Sequence, residues 1–175
     1  YGNSKCKGPK TTKFGAGETG DKTFYAKWEV INYTITYVLN YKKSTKSVPE
    51  NSKKNVKTYT VEDVVTLYDA TRKGYTFKGW YDNEEGTGSK ATKFGAGETG
   101  NKTFYAQWEV ITYNITYVLN DDDSVSPATN TNKTTYTVED VVTLADATRK
   151  GYTFKGWYGN SKCKGPKTTK FGAGE

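Results

Sequence analysis

The chain has no histidine, no methionine and two cysteines among its 175 residues. Without histidine, the Ser-His and Cys-His catalytic arrangements are excluded, as are the usual zinc sites. Cys6 and Cys163 occupy the same position of one duplicated decapeptide, so we expect free thiols in loops rather than an intradomain disulfide. No motif indicates a reaction, and we predict neither enzymatic activity nor a cofactor nor a metal.

Long apolar runs are also missing. No stretch approaches the roughly 20 apolar residues that a membrane-spanning helix requires, and we expect no membrane insertion in this part of the protein. No signal peptide is visible, and with no methionine we expect a piece of a longer protein. Hydrophobic residues make up 34% of the chain and aromatic residues 15%, which indicates a small core built from a few large rings.

An internal repeat organises the sequence. Gly-Tyr-Thr-Phe-Lys-Gly-Trp-Tyr occurs at 74–81 and again at 151–158, and Lys-Phe-Gly-Ala-Gly-Glu begins at Lys13, Lys93 and Lys170. These spacings define a unit of 77 to 80 residues, which is long enough to have its own core. We therefore divide the chain into the C-terminal half of a repeat (1–32), a complete repeat (33–110) and a repeat without its last strand (111–175).

Hydrophobic alternation predicts a mostly β or α+β unit with a four-stranded sheet. The predicted strands are 33–39, 59–67, the octapeptide as the central strand, and 103–110, with at most one or two helical turns after Thr60. A regular pleat would point Trp80 away from the face of Phe77, so we predict a bulge at Gly79 and at its copy Gly156. The core residues that we predict are Phe77, Trp80, Phe104 and Trp108, and their copies Phe154, Trp157, Phe24 and Trp28.

Three motifs together carry a family resemblance. Tyr-x-Ile-Thr-Tyr-x-Leu-Asn, then Gly-Tyr-Thr-Phe-x-Gly-Trp-Tyr and Thr-x-Tyr-Ala-x-Trp, resemble the Listeria–Bacteroides repeat family, which includes the B repeat of internalin B. The resemblance implies tandem β-grasp-like (ubiquitin- or SUMO-like) units in a secreted or wall-attached bacterial surface protein. It implies a non-enzymatic stalk, spacer or adhesive module whose partners are neighbouring repeats. The Cys-bearing loop and a Lys-rich insert depart from the family pattern.

The Lys-rich loop at 41–57 is the first candidate binding site. Its counterpart at 121–134 is acidic, so this loop reverses charge on a scaffold that otherwise barely changes. We expect either contact with a polyanion such as a glycosaminoglycan or teichoic acid, or sequence drift in a tolerant surface loop. The lysines concerned are Lys42, Lys43, Lys46, Lys53, Lys54 and Lys57. Charge alone does not indicate nucleic-acid binding, because the aromatic residues alternate as core residues do.

Three weaker patterns have both a functional and an ordinary structural explanation. Tyr81 and Tyr158 could stack on sugar rings of a polysaccharide, or simply cover a thin sheet. The acidic run 121–123 has hard oxygen ligands but lacks the spacing of a calcium loop, so a solvated loop is favoured. The glycine-rich 95–100 segment lacks the phosphate-loop pattern and reads as a turn.

Alignment of the repeat copies leads to one further expectation, which concerns a strand at 21–30. Residues 21–30 correspond to the strand that the unit at 111–175 does not contain. This segment of one molecule could complete the sheet of another, which would give head-to-tail association by strand donation.

Overall fold

The computed structural model describes residues 1–42, 46–121 and 125–172. All regular secondary structure in these ranges is β, and no helix is formed there. The strands are β1 (Tyr33–Val38), β2 (Thr58–Tyr59), β3 (Val65–Thr66), β4 (Tyr75–Tyr81), β5 (Lys93–Phe94), β6 (Lys102–Val110), β7 (Thr112–Asn114), β8 (Thr135–Thr137), β9 (Val141–Thr143) and β10 (Lys170–Gly172). The prediction of a mostly β protein is confirmed.

The unit at 33–110 is built on a four-stranded sheet in the order β2-β1-β6-β4. β1 and β6 run parallel in the middle, and β2 and β4 pair antiparallel on the outside. The octapeptide strand β4 is therefore an edge strand and not the central one. The prediction of a central strand was wrong because β6, the last strand of the unit, lies between β1 and the octapeptide strand.

The predicted bulge at Gly79 is present. The register between β4 and β6 shifts between Phe77 and Gly79, and Gly79 has a φ of 139°. The shift returns the ring of Trp80 to the face of Phe77, so that the two rings meet edge to face with centroids 5.3 Å apart. Gly156 repeats the conformation with a φ of 125°.

Aromatic and aliphatic side chains form the core of this unit. Trp80 is 1% exposed and Phe104 7% exposed, and Phe77 and Trp108 pack against the same cluster. Tyr37 adds an edge contact to Trp80, with ring centroids 5.1 Å apart. A few rings thus supply most of the buried surface in a short sequence.

The segment 59–67 is not one strand. It contains the last residue of β2 and the whole of β3. Between them is a turn in which the carboxylate of Asp63 accepts hydrogen bonds from the main-chain N–H of Thr60, at 2.7 Å, and from its hydroxyl, at 2.8 Å. This capping arrangement satisfies the donors of Thr60 without starting a helix. The copy at Thr137 and Asp140 has the same geometry.

The second unit, 111–172, repeats the outer pairings but not the main sheet. β7 pairs with β8 and β9 with β10, as β1 does with β2 and β3 with β5. Its octapeptide, 151–158, is not in a strand and makes one isolated bridge, Trp157 to Thr168. In the first unit this strand pairs with β6, and among the described residues of the second unit no equivalent strand lies beside it.

The segment 1–32 contains no strand. Phe24 is 52% exposed and Trp28 is 89% exposed, so neither belongs to a buried core here, contrary to their predicted role. The physical reason is that this segment has no sheet of its own to pack on; Phe24 stacks instead on Phe14, with ring centroids 5.8 Å apart.

Candidate functional site

The two units meet through the turn after β8, which contacts the start of β4. A carboxylate oxygen of Glu139, in the second unit, accepts a hydrogen bond of 2.9 Å from the hydroxyl of Tyr75 in the first. Its other oxygen accepts a 2.9 Å bond from the main-chain N–H of Lys46. One side chain of the second unit thus joins two segments of the first.

An apolar contact lies beside these hydrogen bonds. Val138 packs so closely on the backbone of Gly74 that a Cβ atom at position 74 would lie 2.4 Å from the Cβ of Val138. The main-chain N–H of Ile111 donates a 2.9 Å hydrogen bond to the carbonyl of Gly74. Glycine is required here both for space and for its φ of 73°.

The exposed fractions of equivalent residues in the two units show which side chains the junction buries. Val138 is 4% exposed, whereas its copy Val61 is 37% exposed. Tyr75 is half-buried, whereas its copy Tyr152 is 60% exposed. Because the sequence around each pair is nearly the same, the difference in exposure comes from the neighbouring unit.

Arg72 contacts residues on both sides of the junction. Its Nε donates to the carbonyl of Ser47 at 3.1 Å, and its guanidinium lies 3.6 Å from the ring centroid of Tyr75. The distance from Nη2 of Arg72 to Oε1 of Glu139 is 3.9 Å. A partly exposed ion pair at that distance contributes about 1 kcal/mol at most, whereas burying a valine side chain is worth about 1.5–3 kcal/mol. The Val138 contact therefore outweighs the ion pair, while the two 2.9 Å hydrogen bonds to Glu139 fix the relative position of the segments.

The electrostatics of Tyr75 fit this arrangement. Burial raises the pKa of Tyr75, the hydrogen bond to Glu139 raises it further, and the Arg72 guanidinium acts in the opposite direction. The phenol therefore remains a protonated donor to the carboxylate well above neutral pH.

The candidate lysines are spread along a loop that is anchored at both ends. Of the six predicted residues, Lys43 lies outside the described residues, and Lys42, Lys46, Lys53, Lys54 and Lys57 are exposed. Near one end the Ser47 hydroxyl donates to the Lys73 carbonyl at 2.6 Å, and near the other Asn55 binds the main chain of Tyr68. Lys54 extends over the ring of Tyr68, 5.3 Å from its centroid.

The predicted sugar-stacking residues are not exposed platforms. Tyr81 and Tyr158 are both half-buried, and Tyr81 is the last residue of β4, opposite Tyr105. The second-unit core residues Phe154 and Trp157 are half-buried as well, with ring centroids 5.2 Å apart. No described contact joins Tyr81 or Tyr158 to the lysine loop.

The described residues offer little for metal or redox chemistry. Within 1–42, 46–121 and 125–172 no cluster of three His, Cys, Asp or Glu residues could hold a metal ion, and Asp122 and Asp123 lie outside these ranges. Cys6 and Cys163 are free thiols, each in a turn with positive φ. No helix in the described part is long and apolar enough to cross a bilayer.

Sequence reasoning did not identify the junction. Its contributors are Arg72, Gly74 and Tyr75 on one side, and Val138 and Glu139 on the other. The available signal was their identity in both copies: Arg-Lys-Gly-Tyr recurs at 149–152, and Thr-Val-Glu-Asp occurs at 60–63 and 137–140. The sequence pattern places Gly74 and Tyr75 in the octapeptide strand and 60–63 in the predicted strand 59–67 with at most one or two helical turns, and it does not indicate that the two runs pair.

The chain is matched by the model of the Listeria-Bacteroides repeat domain over residues 33–107 and 113–173. A Listeria monocytogenes protein named Internalin H is 36% identical over 90 residues, which cover 50% of this chain and 14% of that protein. An Evansella cellulosilytica protein that carries the name Gly-rich membrane protein is 27% identical over 144 residues, 80% of this chain and 15% of that protein. The chain thus spans less than a fifth of these relatives' length, and no solved structure matches it.

Proposed function

Because this chain belongs to the Listeria–Bacteroides repeat family, we propose that it is a non-enzymatic spacer and interaction scaffold in a bacterial surface or secreted protein. The observation that carries the proposal is the buried junction between the units. Two domains joined by a flexible linker alone would move independently, whereas a docked junction transmits orientation along an array. The function of the module is then mechanical: it holds a more distal part of the protein at a set distance.

The unit itself is proposed to be β-grasp-like. The feature in favour is the parallel pairing of the first and last strands in the middle of the sheet, with antiparallel strands outside. The connection between β2 and β4, where a helix would cover the sheet, contains the short strand β3 and no helix, and it buries Val65, Leu67 and Ala70 against the core.

The test of the spacer function compares Val138→Ala with Val61→Ala. Removing two methyl groups at the junction is expected to lower the free energy of unfolding of the second unit by about 1–2 kcal/mol. The same substitution at position 61 removes half-exposed atoms and is expected to cost under about 0.5 kcal/mol. Urea titrations followed by NMR signals from each unit give both values.

Orientation is measured independently of stability. Backbone ¹⁵N relaxation of the unaltered chain is expected to give one common tumbling time for 33–110 and 111–172, and Val138→Ala is expected to separate the two. Independent tumbling of the units in the unaltered chain would contradict the spacer proposal, whatever the stabilities.

A second candidate function is polyanion binding by the lysine loop. The specific observation in its favour is that five described lysines are exposed and that two of them, Lys53 and Lys54, lie between Ser47 and Asn55, whose side chains hold the loop. Cations on a held segment lose less entropy on binding than cations on a free loop. Retention on heparin that falls steeply with salt, and that weakens when Lys53 and Lys54 are both changed to Gln, would support it. Salt-independent retention would exclude it.

A further inference from the structure

A small pocket lies on the outer side of β4. This strand pairs with β6 along one side, and on its other side Trp80 forms a bridge with Ala91. The pocket lies beside the bridge and has a volume of about 170 Å³. All the residues that line it belong to 67–92, so the complete first unit forms the pocket by itself.

The second unit contains an equivalent pocket with a volume of about 140 Å³. All nine lining positions correspond between the two units, and eight of them carry the same amino acid. The aromatic wall also has the same geometry in both. The ring centroids of Phe77 and Trp80 are 5.3 Å apart, and those of Phe154 and Trp157 are 5.2 Å apart. The pocket is therefore a feature of the repeat.

The lysine of the pocket is retained although the loop before it is not. The segments 82–91 and 159–168 differ at seven of ten positions, yet Lys90 and Lys167 are equivalent. In both units the lysine stem crosses the bulge glycine. A Cβ atom added to Gly79 would lie 2.8 Å from Cδ of Lys90, and the equivalent distance in the second unit is 2.7 Å. An aliphatic side chain would cover the glycine equally well, so packing does not account for the ammonium group.

A carboxylate and an ammonium group of each pocket can bind a ligand. Asp69 and Lys90 in the first unit are exposed, as are Asp146 and Lys167 in the second. Among the residues that the structure describes, these four side chains form no hydrogen bond or ion pair. An ionised aspartate only accepts hydrogen bonds and a lysine only donates them. Each pocket thus presents an acceptor and a donor beside an aromatic wall.

The charges around the first pocket are balanced. Lys78 pairs with Glu109 at a distance of 2.9 Å, which leaves one carboxylate, Asp69, and one ammonium group, Lys90. A neutral ligand with several hydroxyl groups suits this pair, because each hydroxyl can both donate and accept a hydrogen bond. The cavity is smaller than the roughly 300–1,000 Å³ that drug-sized ligands occupy, so a single ring is the appropriate size.

We propose that each pocket binds one ring of a neutral polysaccharide. In the first unit Asp69 accepts hydrogen bonds from sugar hydroxyls, Lys90 donates to another hydroxyl, and the C–H face of the ring packs on Phe77. The equivalent residues do the same in the second unit. Two like sites one repeat apart suit a ligand that is itself a repeating chain, because the second contact becomes intramolecular once the first has formed.

This inference does not rest on the spacer function, since a rigid array can have empty pockets. It also differs from polyanion binding by the lysine loop. A charge-balanced pocket that binds through hydrogen bonds is expected to show little salt dependence, whereas a polyanion on the loop is released by salt. Failure of one proposal therefore leaves the others standing.

The test is an ¹H–¹⁵N NMR titration of the full chain with cellotetraose, chitotetraose and mannotetraose. At least one of the three is expected to shift the signals of 67–69, 77–80 and 90–92 together with their counterparts in the second unit. The half-saturation concentration is expected to change by less than about twofold between low and high salt. No shift with any of the three sugars, or shifts confined to 41–57, would overturn the proposal.

Aspartate variants assign the contact to each pocket. Asp69→Ala is expected to weaken binding in the first unit by about tenfold, because a hydrogen bond to a charged acceptor is lost, and to leave the second unit unchanged. Asp146→Ala is the matched variant and is expected to give the opposite pattern. The unfolding midpoints should stay unchanged, because both side chains are exposed.

A lysine variant separates binding from packing. Lys90→Met keeps an aliphatic stem over Gly79 but removes the ammonium group, and it is expected to weaken binding in the first unit several-fold. Glu85→Ala, an exposed change in the loop before Lys90, is the control and is expected to stay within about twofold. Sugar binding that survives both Asp69→Ala and Lys90→Met unchanged would overturn the proposal, even if the signals shift in the unaltered chain.

Discussion

Asn55 binds the main chain of Tyr68 at two points. Its side-chain N–H donates to the Tyr68 carbonyl at 2.9 Å, and its side-chain oxygen accepts from the Tyr68 N–H at 2.7 Å. The same carbonyl also accepts the indole N–H of Trp80 at 2.9 Å. Asn132, Ala145 and Trp157 repeat the arrangement in the second unit. The asparagine thus fixes the loop end, the chain after β3 and the central tryptophan relative to one another.

Asn55→Ala is expected to destabilise the first unit by about 1–3 kcal/mol, because it leaves the N–H of Tyr68 without its partner next to the core. Asn55 is 8% exposed. Chemical unfolding followed by Trp80 fluorescence gives the value.

The matched control is Asn132→Ala, whose hydrogen bonds to the main chain of Ala145 lie at the surface. Water can replace the lost partner there, so we expect less than about 1 kcal/mol. Equal losses at the two positions would show that burial is not what gives Asn55 its effect.

These asparagines show where sequence reasoning stops. In the first unit the long strands and the core rings can be predicted, because alternation reports directly which side chains face inward. A hydrogen bond from Asn55 to the main chain of a residue 13 positions away leaves no periodic signal. The sequence of the polar loop 41–57 therefore indicates a solvated segment, and only the structure shows that Asn55 binds the main chain of Tyr68.

The position of β6 shows a second limit. Its alternation predicts Phe104 and Ala106 as inward, and both are buried. Insertion of β6 between β1 and β4 is a matter of topology, which local pattern does not encode. Val110 continues the same inward alternation, but it lies outside the core cluster and is 40% exposed.

Gly79→Ala tests the cost of the bulge. An alanine at a φ of 139° is strained, and its Cβ would lie 2.8 Å from Cδ of Lys90. The lysine end can move, so the backbone strain dominates, and we expect a loss of about 1–3 kcal/mol. Gly95→Ala is the control, since nothing lies within 4 Å of its added Cβ. It is expected to change stability by less than about 1 kcal/mol. Thermal unfolding of both variants decides the matter, and similar midpoints would contradict the bulge argument.

Tyr37 makes the first unit sensitive to alkaline pH. Burial raises the pKa of Tyr37 to about 12, and its hydroxyl donates to the Val56 carbonyl at 3.1 Å. The folded pKa lies above the unfolded value of about 10, so the contribution is complete below about pH 10 and is lost as pH rises through about 12. Urea unfolding of the first unit at pH 9 and pH 11.5 is expected to show this loss. Tyr37→Phe should reduce it, and an unchanged pH dependence in that variant would assign the effect to other tyrosines.

Asp140 makes the opposite prediction at acid pH. Hydrogen bonds from Lys133 and from Thr137 lower the pKa of Asp140 to about 2, whereas its copy Asp63 has a lowered pKa through Thr60 alone. A folded pKa below the unfolded value of about 3.9 means that the stabilising contribution is present above that value. It is lost as pH falls through the folded pKa.

The Thr137–Asp140 turn should therefore persist to lower pH than the Thr60–Asp63 turn. Carboxyl ¹³C titration of the two aspartates checks the order directly. Lys133→Ala is expected to raise the pKa of Asp140 towards that of Asp63, because Lys133 donates a hydrogen bond to the Asp140 carboxylate that has no counterpart at Asp63. Asp140 is at the surface, so added salt should also weaken the contribution of Lys133 while leaving the threonine hydrogen bonds in place. If Asp140 kept its low pKa in the Lys133→Ala variant, the turn itself and not the lysine would be its cause.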